Sequence, residues 1–530
     1  MPCSILIKNG TIIDGTGSKP YKADIGIEKD TITKIAPTVN ENAELVIDAS
    51  GKFVSPGFID LTTHSDIHWT LFSEPSQESF LRQGVTTIIG GHGGFSLAPL
   101  LNPDVLESLN KKTLAGKANI NWQTFEEFFA ELQKHNFGVN FATFVGFENL
   151  RRNILGATTR KANKKEMQSM SALLKNSIES GAFGLSTNLS SASSGLAEKD
   201  EIIELFRTAK KCNAITSHHL EDEGKNLLPS LSRLIMLART SEVKCHVSHF
   251  KALGRTAWTN FENALNMIEL ARKDGVSITC DFFPYTATGS NLLSLLPSWL
   301  LTESKEHILK LLKEEGTRVD LIEYLKSLTL HYDKITISST LHDTGSVGKS
   351  IYKLSQISGV KEEEVLLELL KINELEVSIF NEAIKEEHLE ILTKKPYVLC
   401  SSDGIGYELS AAEASLLKRN MPHPRSFGSF PRFIKNFSTE KQLINMEEAI
   451  HKSSGLPAKI LGIKKRGVIE KNNFADIVVI NLEMLKDNST YNNPFEYASG
   501  IENVIVNGVL EIHENKLKNT NGGKIIKKEQ

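Results

Sequence analysis

Two patterns of apolar and polar positions run along the 530-residue chain. At both ends short β-rich runs flank an Asn-Gly pair, Asn9-Gly10 near the start and Asn507-Gly508 near the finish. Asn-Gly between strand-like runs predicts a two-residue hairpin. Further strand-like runs lie at 23–27 and 475–480. Two β segments at opposite ends are most simply one small β domain assembled from both termini. Between them, β-rich runs at 53–60, 85–91, 139–146, 182–187, 214–219, 243–249, 276–283 and 397–403 alternate with helical periodicity, for example at 165–180, 200–211 and 258–273. Several runs are almost continuously apolar, as parallel strands buried on both faces require. Eight strand–helix units predict an α/β fold, a (β/α)8 TIM-like barrel.

One connection is too long for a single helix. Between Thr286 and Ile391 the chain carries helical periodicity at 303–327 and 361–371 and a strand candidate at 334–338. This reads as an inserted lid subdomain after strand seven, since insertions behind a barrel strand sit over the active face. The expected division is 1–54 plus 455–515 as a discontinuous β-sandwich, 55–454 as the barrel with 286–345 as its lid, and 516–530 as a polar, Lys-rich, mobile tail.

Chemistry gathers where the predicted strands end. The first run leads to His64, the fifth to His218-His219, the sixth to His249 and the eighth to Asp403. The βα loops at that end carry the active site of such barrels. Neutral imidazoles from neighbouring strands five and six can share a divalent ion, and Zn2+ is the usual taker of nitrogen ligands. Water on such an ion loses its proton near neutral pH. A carboxylate at strand eight is placed to accept that proton and return it to a leaving nitrogen. Alternation lets one of His218 and His219 face inward, and turns His246 away from the side His249 takes.

Bulk properties narrow the partners. Lys plus Arg is 61 against 64 Asp plus Glu, a net charge of −3, so no basic bias points to nucleic acid. Apolar runs are too short to cross a bilayer. The first residues lack the basic and apolar regions of a secretory leader. Cys3, Cys212, Cys245, Cys280 and Cys400 are scattered and odd in number, which argues against a disulfide framework and for a reducing cytoplasm. Cys245 and Cys280 read as small buried hydrophobes. A small-molecule substrate is expected, and the oligomeric state is not legible.

Ordered motifs then carry a resemblance: SPGFIDLTTHSD, QGVTTIIGGHGGFSLAPL, GAFGLSTNL, SHHLEDEG, VSHFKALG, CDFFPYTATGS, SSDG, HPRSFGSFPR, LPAKILG with RGVI, and FADIVVIN. The chain resembles the amidohydrolase superfamily, specifically the D-aminoacylase (N-acyl-D-amino-acid deacylase) group, almost end to end. The resemblance implies a metal-bearing barrel, a β-sandwich from both termini and a mobile insertion after strand seven. It implies that His219 and His249 are ligands of the main zinc site and Asp403 the catalytic acid/base. His64 matches the second histidine of a strand-one pair, and Lys251, Tyr285 and Arg425 match motifs that line the substrate pocket. An arginine at 425 suits bidentate capture of the carboxylate of an N-acyl amino acid; its bland alternative is a loop brace.

The chain also departs from that pattern. Thr62 stands where the group has His, and His92-Gly93-Gly94 where it has Asn-Cys-Gly, so the thiolate ligand is missing. Gly146-Phe147 replaces Gly-His, Glu221 replaces Arg, and Ser191 falls where the group has Tyr. The neighbouring His92 is the candidate substitute ligand, with Asp403 or Glu221 as alternatives. The expectation is one zinc ion rather than two, and hydrolysis of an N-acyl (D-)amino acid. Two alternatives stay open: a catalytically silent barrel that binds a ligand, and a cyclic-amide hydrolase of hydantoinase type.

Overall fold

The computed structural model describes residues 3–106, 120–156, 158, 160–189, 197–297, 299–300, 303–328, 330–409 and 420–529. Eight parallel strands form a barrel: β1 (Phe58–Asp60), β2 (Val85–Gly90), β3 (Asn140–Thr143, prolonged by Val145–Gly146), β4 (Gly184–Asn188), β5 (Ile215–His219), β6 (Lys244–Val247), β7 (Ile278–Phe282) and β8 (Val398–Cys400). Strands β1 to β3 pair in order, Val145–Gly146 carries the ladder to β4, and pairing continues through β8. A parallel bridge from Thr63 to Gly404 joins β8 back to β1. Seven of the eight runs read from the sequence, and the second half of the first, coincide with these strands because they are largely buried on both faces; all six residues of β2 are buried. Amphipathic helices such as Lys164–Glu179, Lys199–Lys211, Leu227–Ser241 and Phe261–Lys273 cover the outside. Asn163 and Glu166 form a reciprocal capping box that fixes where the first of these begins.

The first run is divided. Phe53–Pro56 is a strand of the terminal domain, pairing with both Cys3–Ile12 and Ile477–Ile480, and only the residues after Gly57 enter the barrel. A Cβ on Gly57 would fall 2.1 Å from the Thr86 hydroxyl, so the crossing point has no room for a side chain. Strands from both termini are joined in one hydrogen-bonded nine-stranded sheet, because Phe53–Pro56 bridges them. Ile5, Ile7, Ile25, Ile27, Ile477, Val479 and Ile505 pack together as its own core. Asn507-Gly508 is the expected hairpin, with both residues at positive φ. Asn9-Gly10 is not a turn. Cys3–Ile12 runs straight through it as one strand, with a register shift between Ile7 and Gly10 and the Asn9 N–H donated to the Asp24 carboxylate. A bulge uses the same left-handed freedom as a hairpin.

The insertion is larger than 286–345. Ala287–Asn291, Ile335–Thr340 and Val377–Glu382 form a three-stranded antiparallel sheet with Val377–Glu382 in the centre. A separate apolar core, including Leu292, Leu325, Ile337, Leu366 and Ile379, holds it together. It therefore reaches residue 382, since the sheet is incomplete without its central strand. The tail is also not free. Lys516–Leu517 pairs with Val509–His513, Gly523 and Ile525 bridge to Phe137 and Phe141, and the Lys528 N–H donates to the Gly181 carbonyl. Backbone pairing along the N-terminal face of the barrel outweighs its polar composition. Among the described residues no helix is long and apolar enough to cross a membrane, and the five cysteines are free.

Candidate active site

The strand ends deliver the site from five separate segments. His219 closes β5, His249 lies two residues past β6, Asp403 three past β8, and His64 follows β1. Arg425 opens the helix Arg425–Arg432. His219 Nδ1 and His249 Nε2 lie 2.9 Å apart. His64 Nε2 donates to Asp403 Oδ1 at 2.7 Å, and the Arg425 guanidinium meets Asp403 Oδ2 at 2.7 Å. The His64 and His219 rings approach edge to face at 6.2 Å. His249 and Asp403 both hold left-handed backbone, φ +42° and +51°. Non-glycine residues in that region cost roughly 1–3 kcal/mol each and persist where the surroundings impose them.

Two buried carboxylates supply those surroundings, and neither stood out in the sequence. Asp281, on β7, accepts the backbone N–H of His249 through Oδ1; its Oδ2 accepts from the Thr62 hydroxyl and from His246 Nε2 at 3.0 Å. Glu223 sits four residues past His219 and accepts from His249 Nδ1 at 2.9 Å. Its two oxygens also hold Lys251 Nζ, at 2.7 and 2.6 Å. A carboxylate on one imidazole nitrogen favours the tautomer that leaves the lone pair on the other available, and Lys251 Nζ lies 2.7 Å from the same His249 Nδ1. The signal for Glu223 was its place in SHHLEDEG; for Asp281 it was a lone acid inside an apolar strand.

The electrostatics follow from these contacts. Burial alone would raise the Asp403 carboxyl, but Arg425, then His249 and His64, hold it well below the usual carboxylate range. Burial likewise opposes ionisation of Glu223, and Lys251 and His249 reverse it, leaving Glu223 lowered. Burial, helped by the His249 charge, keeps His219 well below the ordinary histidine value and therefore neutral.

Other expected residues are placed differently. His92 is fully buried, donates Nε2–H to the Leu61 carbonyl at 2.7 Å and turns Nδ1 toward the Ser217 hydroxyl at 3.4 Å. Burial lowers it to about 3, so it is a neutral core histidine with both nitrogens occupied rather than a replacement ligand. Glu221 is ion-paired with Arg233 on the following helix and does not complete a metal shell. Tyr285 is buried, with its hydroxyl donated to Asp487 Oδ2 at 2.9 Å and lying 3.4 Å from the Pro424 carbonyl, next to Arg425. His218 faces the other side of β5, where its Nδ1 meets the Thr187 hydroxyl at 2.7 Å, and His246 is held by Asp281. Lys251 is at the site, neutralised by Glu223. Ser191 lies outside the described residues.

Whether the donors suit a divalent ion can be tested on this geometry. Two nitrogens on one tetrahedral ion with Zn–N of about 2.0–2.1 Å stand about 3.3 Å apart. The facing nitrogens of His219 and His249, at 2.9 Å, are close to that separation. Burial keeps His219 neutral, Glu223 holds His249 by Nδ1, and the buried His219 Nε2 and His64 Nδ1 have no hydrogen-bond partner. Among the described residues, however, no three His, Cys, Asp or Glu side chains are already gathered as a shell. A Cβ on Gly93 would stand 3.6 Å from His219 Cε1, so the vacant thiolate position faces the same imidazole. The imidazole pair could supply two nitrogens to an ion; among nearby carboxylates Glu223 touches His249, and Asp403 is joined to the site through His64.

The chain is similar to known proteins along its whole length. The chain is 28% identical to D-aminoacylase of Alcaligenes xylosoxydans xylosoxydans over 527 residues, covering 99% of this chain and 98% of that one. Its fold matches the crystal structure of N-acyl-D-glutamate deacylase from Bordetella bronchiseptica with zinc and a phosphonate mimic of the tetrahedral intermediate, at TM-score 0.83, 25% identity and complete coverage of both chains. It also matches a crystal structure of D-aminoacylase, at TM-score 0.81 and 26% identity, covering 99% of this chain and 100% of that one. No family model matches the sequence. In sequence and in fold the chain is thus similar, over its whole length, to the D-aminoacylase group of amidohydrolases, and these comparisons support an enzyme that hydrolyses carbon–nitrogen bonds other than peptide bonds.

Proposed function

We propose that the protein is a metal-dependent deacylase of N-acyl-D-amino acids, with His219 and His249 as ligands of a single divalent ion, zinc, and Asp403 as general base and acid. The observation that carries the reading is the meeting of His219, His249, His64, Asp403 and Arg425 at the C-terminal mouth of the barrel. A bound ion would polarise the scissile carbonyl and acidify the attacking water. Asp403 takes the proton of that water and returns it to the leaving amide nitrogen. Glu223 orients His249, Asp281 holds its strained backbone, and Arg425 offers a guanidinium to the substrate carboxylate. The insertion acts as the lid: Gly289 on its first strand borders Arg425, a Cβ there standing 4.0 Å from the guanidinium.

The departures at Thr62 and Gly93 give a second reading some support. Thr62 has its hydroxyl bound to Asp281, and the third ligand is absent, which suits a barrel that binds N-acyl amino acids without turning them over. Amine release from a panel of N-acetyl-D- and N-acetyl-L-amino acids separates the two. The deacylase reading expects release that Asp403→Asn lowers at least about a hundredfold, the usual scale of a lost general base. Full activity in that variant removes Asp403 from the reaction, and no release from any substrate leaves the binding barrel.

A further inference from the structure

Both oxygens of Asp403 are already engaged. Oδ1 accepts from His64 and Oδ2 from Arg425, and both the Asp403 and Arg425 side chains are largely shielded, at 9% and 13% exposure. Each oxygen keeps a second lone pair, but a carboxylate shielded on both sides and already paired with a guanidinium is a poor acceptor for a water proton. Releasing one partner uncovers the proposed base, and the two partners differ in how they are held. His64 is anchored by its own backbone N–H, donated to the Gly404 carbonyl next to Asp403 at 2.9 Å. Arg425 reaches in on a long side chain whose guanidinium lies over the Phe283 ring, 4.8 Å from its centroid, a flat face across which it can move without losing cover. Lys251 is matched by Glu223, so an incoming carboxylate finds the Arg425 charge as its partner.

We infer that Arg425 is an exchange latch: it holds Asp403 while the site is empty and transfers to the carboxylate of the N-acyl amino acid when substrate binds, freeing the base. The inference rests on the deacylase reading of the site and adds a specificity device to it. Recognition of the carboxylate and readiness of the base are one event, so an amide without the carboxylate leaves Asp403 locked. The charges support the exchange, since each anion is paired before and after it, whereas simultaneous binding would place two carboxylates on one guanidinium. Arginine suits this role because its fork presents donors in fixed directions that match a carboxylate.

Equilibrium binding tests the latch without relying on turnover. The probe is 4-oxopentanoate, in which CH2 replaces the amide NH of N-acetylglycine, so nothing is hydrolysed; its methyl ester is the uncharged control. Titration calorimetry on the full-length protein compares wild type, Asp403→Asn, Arg425→Gln and the double variant, each checked by its melting curve. The latch predicts that Asp403→Asn binds the probe about tenfold tighter, within the coupling range of residues in direct contact. Arg425→Gln should bind at least about tenfold weaker, and the double variant should match Arg425→Gln. The ester should bind wild type and Asp403→Asn alike. Unchanged or weaker binding in Asp403→Asn overturns the inference, as does tightening that persists in the double variant, which would reflect simple repulsion between carboxylates. If Arg425→Gln does not fold, Arg425→Lys takes its place and should lose most of the tightening, because a point charge cannot copy the fork. Absence of N-acyl amino acid hydrolysis with the binding pattern intact would instead strike at the deacylase reading.

Discussion

Gly93 stands where the resemblance to the D-aminoacylase group implies a thiolate, and Gly93→Cys asks whether that position faces a metal volume. The Cβ of the new residue would make ordinary van der Waals contact with His219, 3.6 Å from Cε1 and 3.9 Å from each ring nitrogen, and nothing stands nearer. The cost is conformational. Gly93 has φ +64°, a left-handed backbone in which an L side chain loses about 1–2 kcal/mol. The metal-free variant should therefore be less stable than wild type by that amount. Zinc should return it: a ligand at a hundred times its Kd adds about 2.7 kcal/mol to folding stability. A third ligand set against His219 and His249 should tighten zinc binding at least about tenfold, the lower end of what second-shell partners alone contribute. Competition for zinc with a chromophoric chelator measures this, with Gly93→Ser as the control that has the same backbone strain and no thiolate. Burial pushes the Cys245, Cys280 and Cys400 thiols up; Cys3 and the partly exposed Cys212 are replaced by serine in every protein compared, so that no native thiol competes for zinc. Equal zinc affinity in the Cys, Ser and wild-type proteins would show that no ion lies between residue 93 and His219.

Other consequences follow from the buried charges. Asp60, at the end of β1, is raised to about 8, chiefly by burial, with the Asp281 charge adding to it and bonds from Ser402 opposing. Its folded pKa lies above its unfolded one, so its contribution to stability is fully present below about pH 4 and is lost as pH rises toward 8. Asp60→Asn removes this dependence; urea unfolding should show the wild type losing about 2–3 kcal/mol relative to the variant between pH 5 and pH 7, at about 1.4 kcal/mol per pH unit. A difference independent of pH would refute the assignment. Glu223→Gln should weaken zinc binding about 10- to 100-fold in the same competition assay, because His249 loses the carboxylate that sets its tautomer. It should also strand the Lys251 charge, so that Glu223→Gln with Lys251→Met recovers stability in thermal melts; a double variant no more stable than the single one would argue against that pairing.

The barrel was legible because burial on both faces writes itself as apolar runs, and β2 to β8 fall where those runs lie. The boundary at Gly57 was not, since Phe53–Pro56 and β1 are equally apolar and only tertiary pairing assigns them to different sheets. Asn9-Gly10 shows a related limit: one dipeptide signature serves a hairpin and a bulge, and the partner strand decides between them. The tail carried no apolar periodicity because it docks through backbone hydrogen bonds, which leave little trace in side-chain type. In the site, His219, His249 and Asp403 were visible as polar residues at apolar strand ends. Their supports were not: Glu223 lies in a loop among other acids, and Asp281 is a single acid in a strand. His92 and Tyr285 show the converse, as prominent polar residues whose polar atoms are bound elsewhere, to Leu61 and Ser217 and to Asp487.

Metal content per chain, measured by plasma mass spectrometry after zinc loading and desalting, addresses the imidazole pair without reference to any substrate. The account predicts about one divalent ion per wild-type chain, the single-site arrangement of metal hydrolases, and essentially none in His219→Ala. Zinc retained undiminished by that variant, or absent from a correctly folded wild type, would contradict it.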